Sequence, residues 1–277
     1  MNYLTAILAV LSLILSGCSE KNQAEEHAQK SEEVSIQKEE TLTETHKQEE
    51  SKEEEVNEHQ EQDYEVNMNN WRIEPIKEGN PKVALLTIDD APDQHALEMA
   101  EILKELEVSA IFFVNGHLLE SDEKMQMLKQ IADMGFEIGN HTYSHASLPG
   151  ISEQEQEDEL LRVNSLVEEI TGSKPRFFRA PFGGNTDFST KVAEEEGMQI
   201  MNWTMGYDWE KNYQSKEALA EVTLNSEFLY DGANILMHDR RWTKEALADI
   251  VEGLQEQGYE IVDPKRLKSE TDAVTIQ

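Results

Sequence analysis

Short apolar runs alternate with amphipathic helical segments from residue 82 to residue 262, and this alternation limits the possible folds more than any other feature of the chain. Seven runs rich in aliphatic residues and Phe predict strands at 82–88, 110–114, 136–139, 177–179, 198–202, 233–237 and 259–262. Apolar residues at helical spacing predict six helices between them, at 94–106, 123–134, 153–170, 188–196, 216–227 and 244–257. The pattern favours a parallel sheet covered by helices, either doubly wound or closed into a shortened barrel.

Two of these helices carry start or stop signals in the sequence. Ser152 followed by Glu155 predicts a capping box at the start of helix 153–170, and Gly172 predicts its end. Asp187 is the predicted N-cap of helix 188–196.

The first 18 residues have the pattern of an export signal. Residues 4–15 are apolar apart from one Thr and one Ser, which is too short a run to span a membrane but fits the apolar region of a secretory signal. The run Leu15-Ser16-Gly17-Cys18 resembles the lipobox of bacterial lipoproteins. This resemblance implies a signal peptide over 1–17, a lipid on Cys18 and a position on the outer face of the bacterial cytoplasmic membrane. A cleaved secretion signal with an incidental cysteine remains the alternative.

Charge and composition divide the rest of the chain. Residues 19–70 hold 17 acidic and 5 basic side chains and no Gly, Pro, Trp or Phe, which predicts a disordered acidic tether over 18–70 and a folded domain over 71–277. The whole chain has a net charge of −33, which excludes nucleic acid as a partner, limits membrane contact to the lipid and favours a dispersed monomer. Cys18 is the only cysteine, so Cys-rich zinc sites and intramolecular disulfides are excluded.

Polar residues that could do chemistry follow five of the predicted strands. They are Asp89 and Asp90, His141 and His145, Arg179, Asp208 and Trp209, and His238. Because active sites of parallel α/β folds lie at the carboxyl ends of the strands, we expect these groups at one end of the sheet. The two histidines can reach one metal ion with a carboxylate as third ligand, and the Asp pair can supply that ligand and a general base.

These residues match a family. Thr87-Ile88-Asp89-Asp90-Ala91-Pro92, His141-Thr-Tyr-Ser-His145, Arg179-Ala-Pro-Phe182, Asp208-Trp209 and Leu236-Met-His238 resemble, in order, the five motifs of polysaccharide deacetylases with the NodB homology domain, carbohydrate esterase family 4. The resemblance implies a distorted (β/α) barrel of about seven parallel strands. It implies that Asp89 is the general base, and that Asp90, His141 and His145 bind a divalent metal, usually Zn²⁺.

The same resemblance implies roles for the remaining motif residues. His238 is implied as the general acid, with Arg179 orienting Asp89 and Asp208 tuning His238. The implied substrate-binding residues are Pro181, Phe182, Trp209 and Leu236, of which the last two wall the acetyl pocket and Phe182 offers its backbone N–H to the oxyanion.

The expected activity is hydrolysis of N-acetyl groups on an envelope or extracellular polysaccharide, with peptidoglycan first and other glycans that contain N-acetylglucosamine second. An O-acetyl polysaccharide esterase and a carbohydrate-binding lipoprotein without turnover are the two alternatives. Two motif residues depart from the family, which usually has Gly where this chain has Ala91 and more often Tyr where it has Phe182. The Phe182 backbone N–H is unaffected by that second change. If the loop needs a positive φ at position 91, Ala costs about 1 kcal/mol and shifts Asp90.

Overall fold

The computed structural model describes residues 62–269, so the predicted signal peptide, Cys18 and most of the predicted tether lie outside it. The strands are β1 (Tyr64–Val66), β2 (Ile73–Pro75), β3 (Val83–Ala91), β4 (Ile111–Val114), β5 (Glu137–Asn140), β6 (Phe177–Phe178), β7 (Gln199–Ile200), β8 (Ala233–His238) and β9 (Glu260–Ile261). The helices are α1 (Ala96–Glu105), α2 (Asp122–Asp133), α3 (Glu153–Thr171), α4 (Asp187–Glu195), α5 (Lys216–Leu224) and α6 (Arg241–Glu256). None of these helices is long and apolar enough to cross a membrane.

The main sheet has seven strands, all parallel, in the order β7-β6-β5-β4-β3-β8, with β9 beside the start of β3. Its two edge strands approach each other. Met205, a few residues beyond β7, forms a parallel bridge with Ile235 of β8. The sheet is therefore curled into a distorted barrel with helices outside it. This confirms the predicted fold class and decides against the doubly wound alternative.

The pleat of β3 sorts its side chains between the interior of the barrel and the helices. Val83 and Leu85 belong to a buried cluster inside the barrel, while the residues that alternate with them pack against the helices in a second cluster. Thr87 and Asp89 continue the inward series and are also buried. Polar side chains thus enter the interior only toward the carboxyl end of the strand, where the predicted site lies.

Space inside the barrel is tight beside β5. A Cβ atom on Gly139 would lie 2.5 Å from the ring of Phe113, which fills the interior below the site. Glycine at 139 therefore avoids a steric clash with this ring.

A hairpin that the sequence did not predict closes the other end of the barrel. β1 and β2 pair antiparallel, and Tyr64 also bridges to Leu267. The hairpin residues Tyr64, Val66 and Ile73 are buried in the same cluster as Val83 and Leu85 of β3. Since β1 lies within the predicted tether over 18–70, the folded part begins before residue 71, and that predicted boundary is too late.

The ends of the helices are set by local capping. The predicted capping box of Ser152 and Glu155 is present, and Gly172 ends α3 at φ 85°. The N-cap of α4 is Thr186, whose hydroxyl accepts a hydrogen bond from the Ser189 N–H, so the prediction of Asp187 was wrong by one residue. Asp187 instead adds negative charge to the first turn, where the helix dipole favours it.

Candidate active site

Asp89 and Arg179 form a buried ion pair at the top of the barrel interior. Arg179 Nη1 lies 2.7 Å from Asp89 Oδ1 and 2.8 Å from the Thr87 hydroxyl, and both charged side chains are almost fully buried. Burial lowers the pKa of Arg179, and the charge and hydrogen bond of Asp89 act against that shift. Arg179 thus fixes one carboxylate oxygen of Asp89 and leaves the other to the cavity.

Asp90, His141 and His145 form a cluster that can hold a metal ion. Asp90 Oδ1 lies 4.0 Å from His141 Nε2 and 3.6 Å from His145 Nε2, and the ligand atoms of the three residues are all within 4.8 Å of one another. Tetrahedral zinc with bonds of about 2.1 Å separates its ligands by about 3.4 Å, so small movements would complete the site.

The protonation of His141 also suits a metal ligand. Its Nδ1 lies 2.7 Å from the Arg179 carbonyl oxygen, which accepts the ring proton. The lone pair of the ring is therefore on Nε2, which faces the cluster and can bind a metal ion. Burial lowers the pKa of His141, although the nearby Asp89 opposes this, and a lowered pKa favours the neutral ring that metal binding requires. The donor set of two imidazoles and one carboxylate fits a divalent ion such as zinc.

Backbone strain is concentrated around this cluster. Asp90, Thr142, His145 and Phe182 all have φ between 58° and 67°, a conformation that costs non-glycine residues about 1–2 kcal/mol. Ala91 does not have a positive φ, so the expected backbone strain is absent at that position. The residue with a positive φ is its neighbour Asp90. The Ala91 side chain is fully buried in the cluster that faces the helices.

Side chains outside the motifs hold the loop that carries the two histidines. Glu159 on α3 accepts hydrogen bonds from both the backbone N–H and the hydroxyl of Ser144, each at 2.7 Å. Arg162, one turn further along α3, stacks 3.5 Å from the ring centre of Tyr143. The loop between the two ligands is therefore anchored to a long helix, which maintains the left-handed residues in place.

His238 is paired with Asp208 on the other side of the cavity. His238 Nδ1 lies 2.7 Å from Asp208 Oδ1, and Asp208 Oδ2 accepts the His238 backbone N–H at 2.6 Å and the Thr243 hydroxyl at 2.7 Å. Burial disfavours the charged ring, but the hydrogen bond and charge of Asp208, with the charges of Asp89 and Asp90, raise the pKa of His238 overall. This ring is suited to donate a proton near neutral pH.

A cavity of about 400 Å³ joins these groups. Leu236 is buried at its wall, while Phe182 and Trp209 stand at its rim with 72% and 44% of their surface exposed. The Phe182 ring contacts His145 and the Trp209 ring contacts His238, each edge to face. Pro181 is buried and is not among the residues that line the cavity.

Several residues of the site had no motif to identify them. Trp203 lines the cavity, and so does Arg240, which donates to Asp90 Oδ2 at 2.9 Å. Trp242 donates to the Asp208 carbonyl oxygen at 2.8 Å. Asp239 is buried and accepts the backbone N–H groups of residues 93, 95 and 96, so it ties the end of β8 to the start of α1. Their roles depend on contacts across the sheet that residue spacing does not reveal.

Comparison with known proteins identifies the family. A family model for polysaccharide deacetylases matches residues 76–201. A peptidoglycan-N-acetylglucosamine deacetylase of Bacillus cereus is 30% identical over 197 residues, which cover 68% of this chain and 89% of that protein. The chain belongs to the polysaccharide deacetylase family, carbohydrate esterase family 4.

Two other relatives are longer than this chain. YlxY of Bacillus subtilis, an uncharacterized protein, is 30% identical over 210 residues, which cover 74% of this chain and 64% of YlxY. The solved structure of BA3943 from Bacillus anthracis, described as a pseudoenzyme of this family, is similar at 33% identity and a TM-score of 0.60. The match covers 65% of this chain and 63% of BA3943, so the chain spans just under two thirds of both proteins.

Proposed function

We propose that this protein is a metal-dependent hydrolase that removes N-acetyl groups from a polysaccharide of the cell envelope, with peptidoglycan as the first substrate to test. The observation that carries the proposal is the shared cavity, which is lined by Asp89, by the three-residue cluster and by the His238–Asp208 pair, with Arg179 buried behind Asp89. The peptidoglycan deacetylase of Bacillus cereus supports the choice of glycan.

The proposed reaction is hydrolysis of the acetamide bond. Asp89 accepts a proton from water at Oδ2 while Arg179 holds Oδ1. The water oxygen forms a bond to the acetyl carbonyl carbon, the carbon–nitrogen bond breaks, and His238 gives a proton to the departing amine. The products are acetate and a free amino sugar. Because His238 Nδ1 faces Asp208, the proton is delivered from Nε2.

Other groups would assist the reaction without exchanging protons. Asp90, His141 and His145 would hold the divalent ion, for which we propose zinc. When bound, such an ion polarises a carbonyl oxygen and lowers the pKa of a water molecule. The backbone N–H of Phe182 is proposed as an oxyanion donor, and Leu236 and Trp209 as the walls that receive the acetyl methyl group. Pro181 would act only by shaping the turn that carries Phe182.

We also propose that the protein is exported and tethered through a lipid on Cys18, as the lipobox resemblance implies. The acidic segment would then give the domain reach to a substrate in the envelope. This proposal is tested by labelling cells with a fatty-acid probe. We expect labelled wild-type protein and unlabelled Cys18→Ala protein, and label on both or neither would contradict the anchor.

The neighbouring carboxylates Asp89 and Asp90 allow a matched test of the reaction. Metal is removed from the full-length protein with a chelator, zinc is restored, and acetate release from N-acetylglucosamine oligomers and peptidoglycan is measured along with bound zinc. We expect Asp89→Asn to abolish acetate release with zinc content retained, and Asp90→Asn to lose zinc. Normal turnover by Asp89→Asn would remove Asp89 as the base, and loss of zinc there would make it a ligand.

The two alternatives are separated by the same assay. An O-acetyl esterase would release acetate from O-acetylated but not N-acetylated sugars. A binding protein would retain glycan and release no acetate with zinc bound. BA3943, described as a pseudoenzyme, shows that this second outcome occurs within the family. Turnover is supported here by the lining of the cavity, which includes Asp89, Asp90, His141, His145 and His238.

A further inference from the structure

Arg240 occupies a position in the cavity that the proposed reaction does not use. It follows β8 directly, and its guanidinium is held by Asp90 Oδ2 at 2.9 Å and by the Asp239 carbonyl oxygen at 3.1 Å. Asp93 Oδ2 is 4.0 Å away. These contacts fix the direction of the side chain, and 37% of its surface is still exposed to solvent.

Arg240 lies on the border between two cavities. It lines the cavity with Asp89 and His238, and it also lines an adjoining groove of about 310 Å³. The groove is further lined by Asp90, Asp93, Asn115, His117, Leu118, Ser144 and His145. Asp90, His145 and Arg240 line both cavities, so a ligand group that extends from the first cavity into the groove would run beside the guanidinium.

Among residues 62–269, Arg240 is the only Lys or Arg that lines these two cavities. Arg179, the other nearby guanidinium, is fully buried and bound to Asp89. Arg240 faces Asp90 and, more distantly, Asp93. The other carboxylate oxygen of Asp90, Oδ1, points to the two histidines. A cation bound by that oxygen would therefore take up part of the negative charge that Asp90 now offers to Arg240. The guanidinium would then have positive charge and unused N–H donors for a ligand.

We propose that Arg240 is a specificity-determining residue that recognises a carboxylate on the substrate sugar, carried next to its acetamido group. This inference rests on the proposed deacetylase function. A planar guanidinium matches a carboxylate in charge and in two-pronged geometry. The muramic sugar of peptidoglycan has such a group, a lactyl ether on the ring carbon beside the acetamido carbon, whenever no peptide is attached to it. N-acetylglucosamine has only a hydroxyl there.

The test compares substrates that differ only at that carboxylate. Peptide-free peptidoglycan strands are used with their lactyl carboxylates free or converted to methylamides, and deacetylation of each sugar is measured by mass spectrometry. The proteins are the full-length wild type, Arg240→Gln and, as matched control, Arg241→Gln. Arg241 is the adjacent arginine, 64% exposed, and pairs with Glu245 on the outer surface of α6.

We expect the wild type to prefer the free-carboxylate strands by about tenfold or more in kcat/KM, since hydrogen bonds to charged groups contribute about 1.5–3 kcal/mol. In Arg240→Gln the ratio of the two substrates should fall to about one, and Arg241→Gln should keep the wild-type ratio. Zinc content is measured for each protein, because Arg240 also contacts Asp90.

Two results would overturn the inference. Equal activity of the wild type on both kinds of strand is one, and an unchanged ratio in Arg240→Gln is the other. An unchanged ratio together with a loss of zinc would make the residue a positioning group for Asp90 alone. If the wild type releases no acetate from any substrate, the proposed function fails separately. Calorimetric binding of the two kinds of strand to the zinc-loaded proteins then decides on Arg240, with the same preference expected.

Discussion

Replacing Asp208 with Asn tests whether the carboxylate behind His238 sets its proton affinity. Three donors point at Asp208, namely the His238 ring, the His238 backbone N–H and the Thr243 hydroxyl, at 2.6 to 2.7 Å. The amide keeps one acceptor oxygen and places an NH₂ group where the other was. At least one donor therefore loses its acceptor, and the negative charge is lost.

The size of the effect follows from these contacts. Losing one hydrogen bond to a charged group costs about 1.5–3 kcal/mol, which corresponds to a fall of about 10- to 100-fold in kcat if the bond strengthens as His238 acts. The direction in pH follows from the raised pKa of His238, to which Asp208 contributes. Activity that needs the protonated ring is present at low pH and is lost as pH rises through that pKa. Without the Asp208 charge, the alkaline limb should move to lower pH.

The measurement is kcat for acetate release by the zinc-loaded protein as a function of pH. Asp239→Asn is the matched control, because Asp239 is a buried neighbour whose oxygens accept backbone N–H groups of the loop after β3. It should lower thermal stability without moving the alkaline limb. An alkaline limb that stays in place in Asp208→Asn, or moves equally in both variants, would refute the reasoning.

Two further predictions concern packing at the site. Ala91→Gly, which restores the usual family residue, should not raise kcat, because the strained residue is Asp90 and not Ala91. It should lower the free energy of unfolding, measured by denaturant titration, by about 1 kcal/mol, because a buried methyl group is lost. A several-fold gain in kcat would contradict this prediction. Gly139→Ala should lower the free energy of unfolding by about 1–3 kcal/mol, because the new Cβ would lie 2.5 Å from the Phe113 ring; an unchanged melting temperature would show that the ring moves freely.

Much of the fold was predictable because its signals are local. Apolar runs and helical spacing predicted the seven strands of the sheet and its six helices, and Ser152 with Glu155 predicted the start of α3. The hairpin was missed because β1 and β2 have only three residues each and lie beside an acidic segment. Such short strands are ordered by their burial against the barrel rather than by their own pattern.

The sequence by itself determined which chemical groups the chain carries and that they follow strand ends. The tertiary structure decided how those groups pair. Asp89 and Asp90 are adjacent in sequence, yet the inward face of β3 directs one to Arg179, 90 residues away, and a left-handed backbone directs the other to the histidines. Arg240 reaches Asp90 across 150 residues. Barrel closure sets these contacts, and no local pattern encodes them because they depend on how distant strands align.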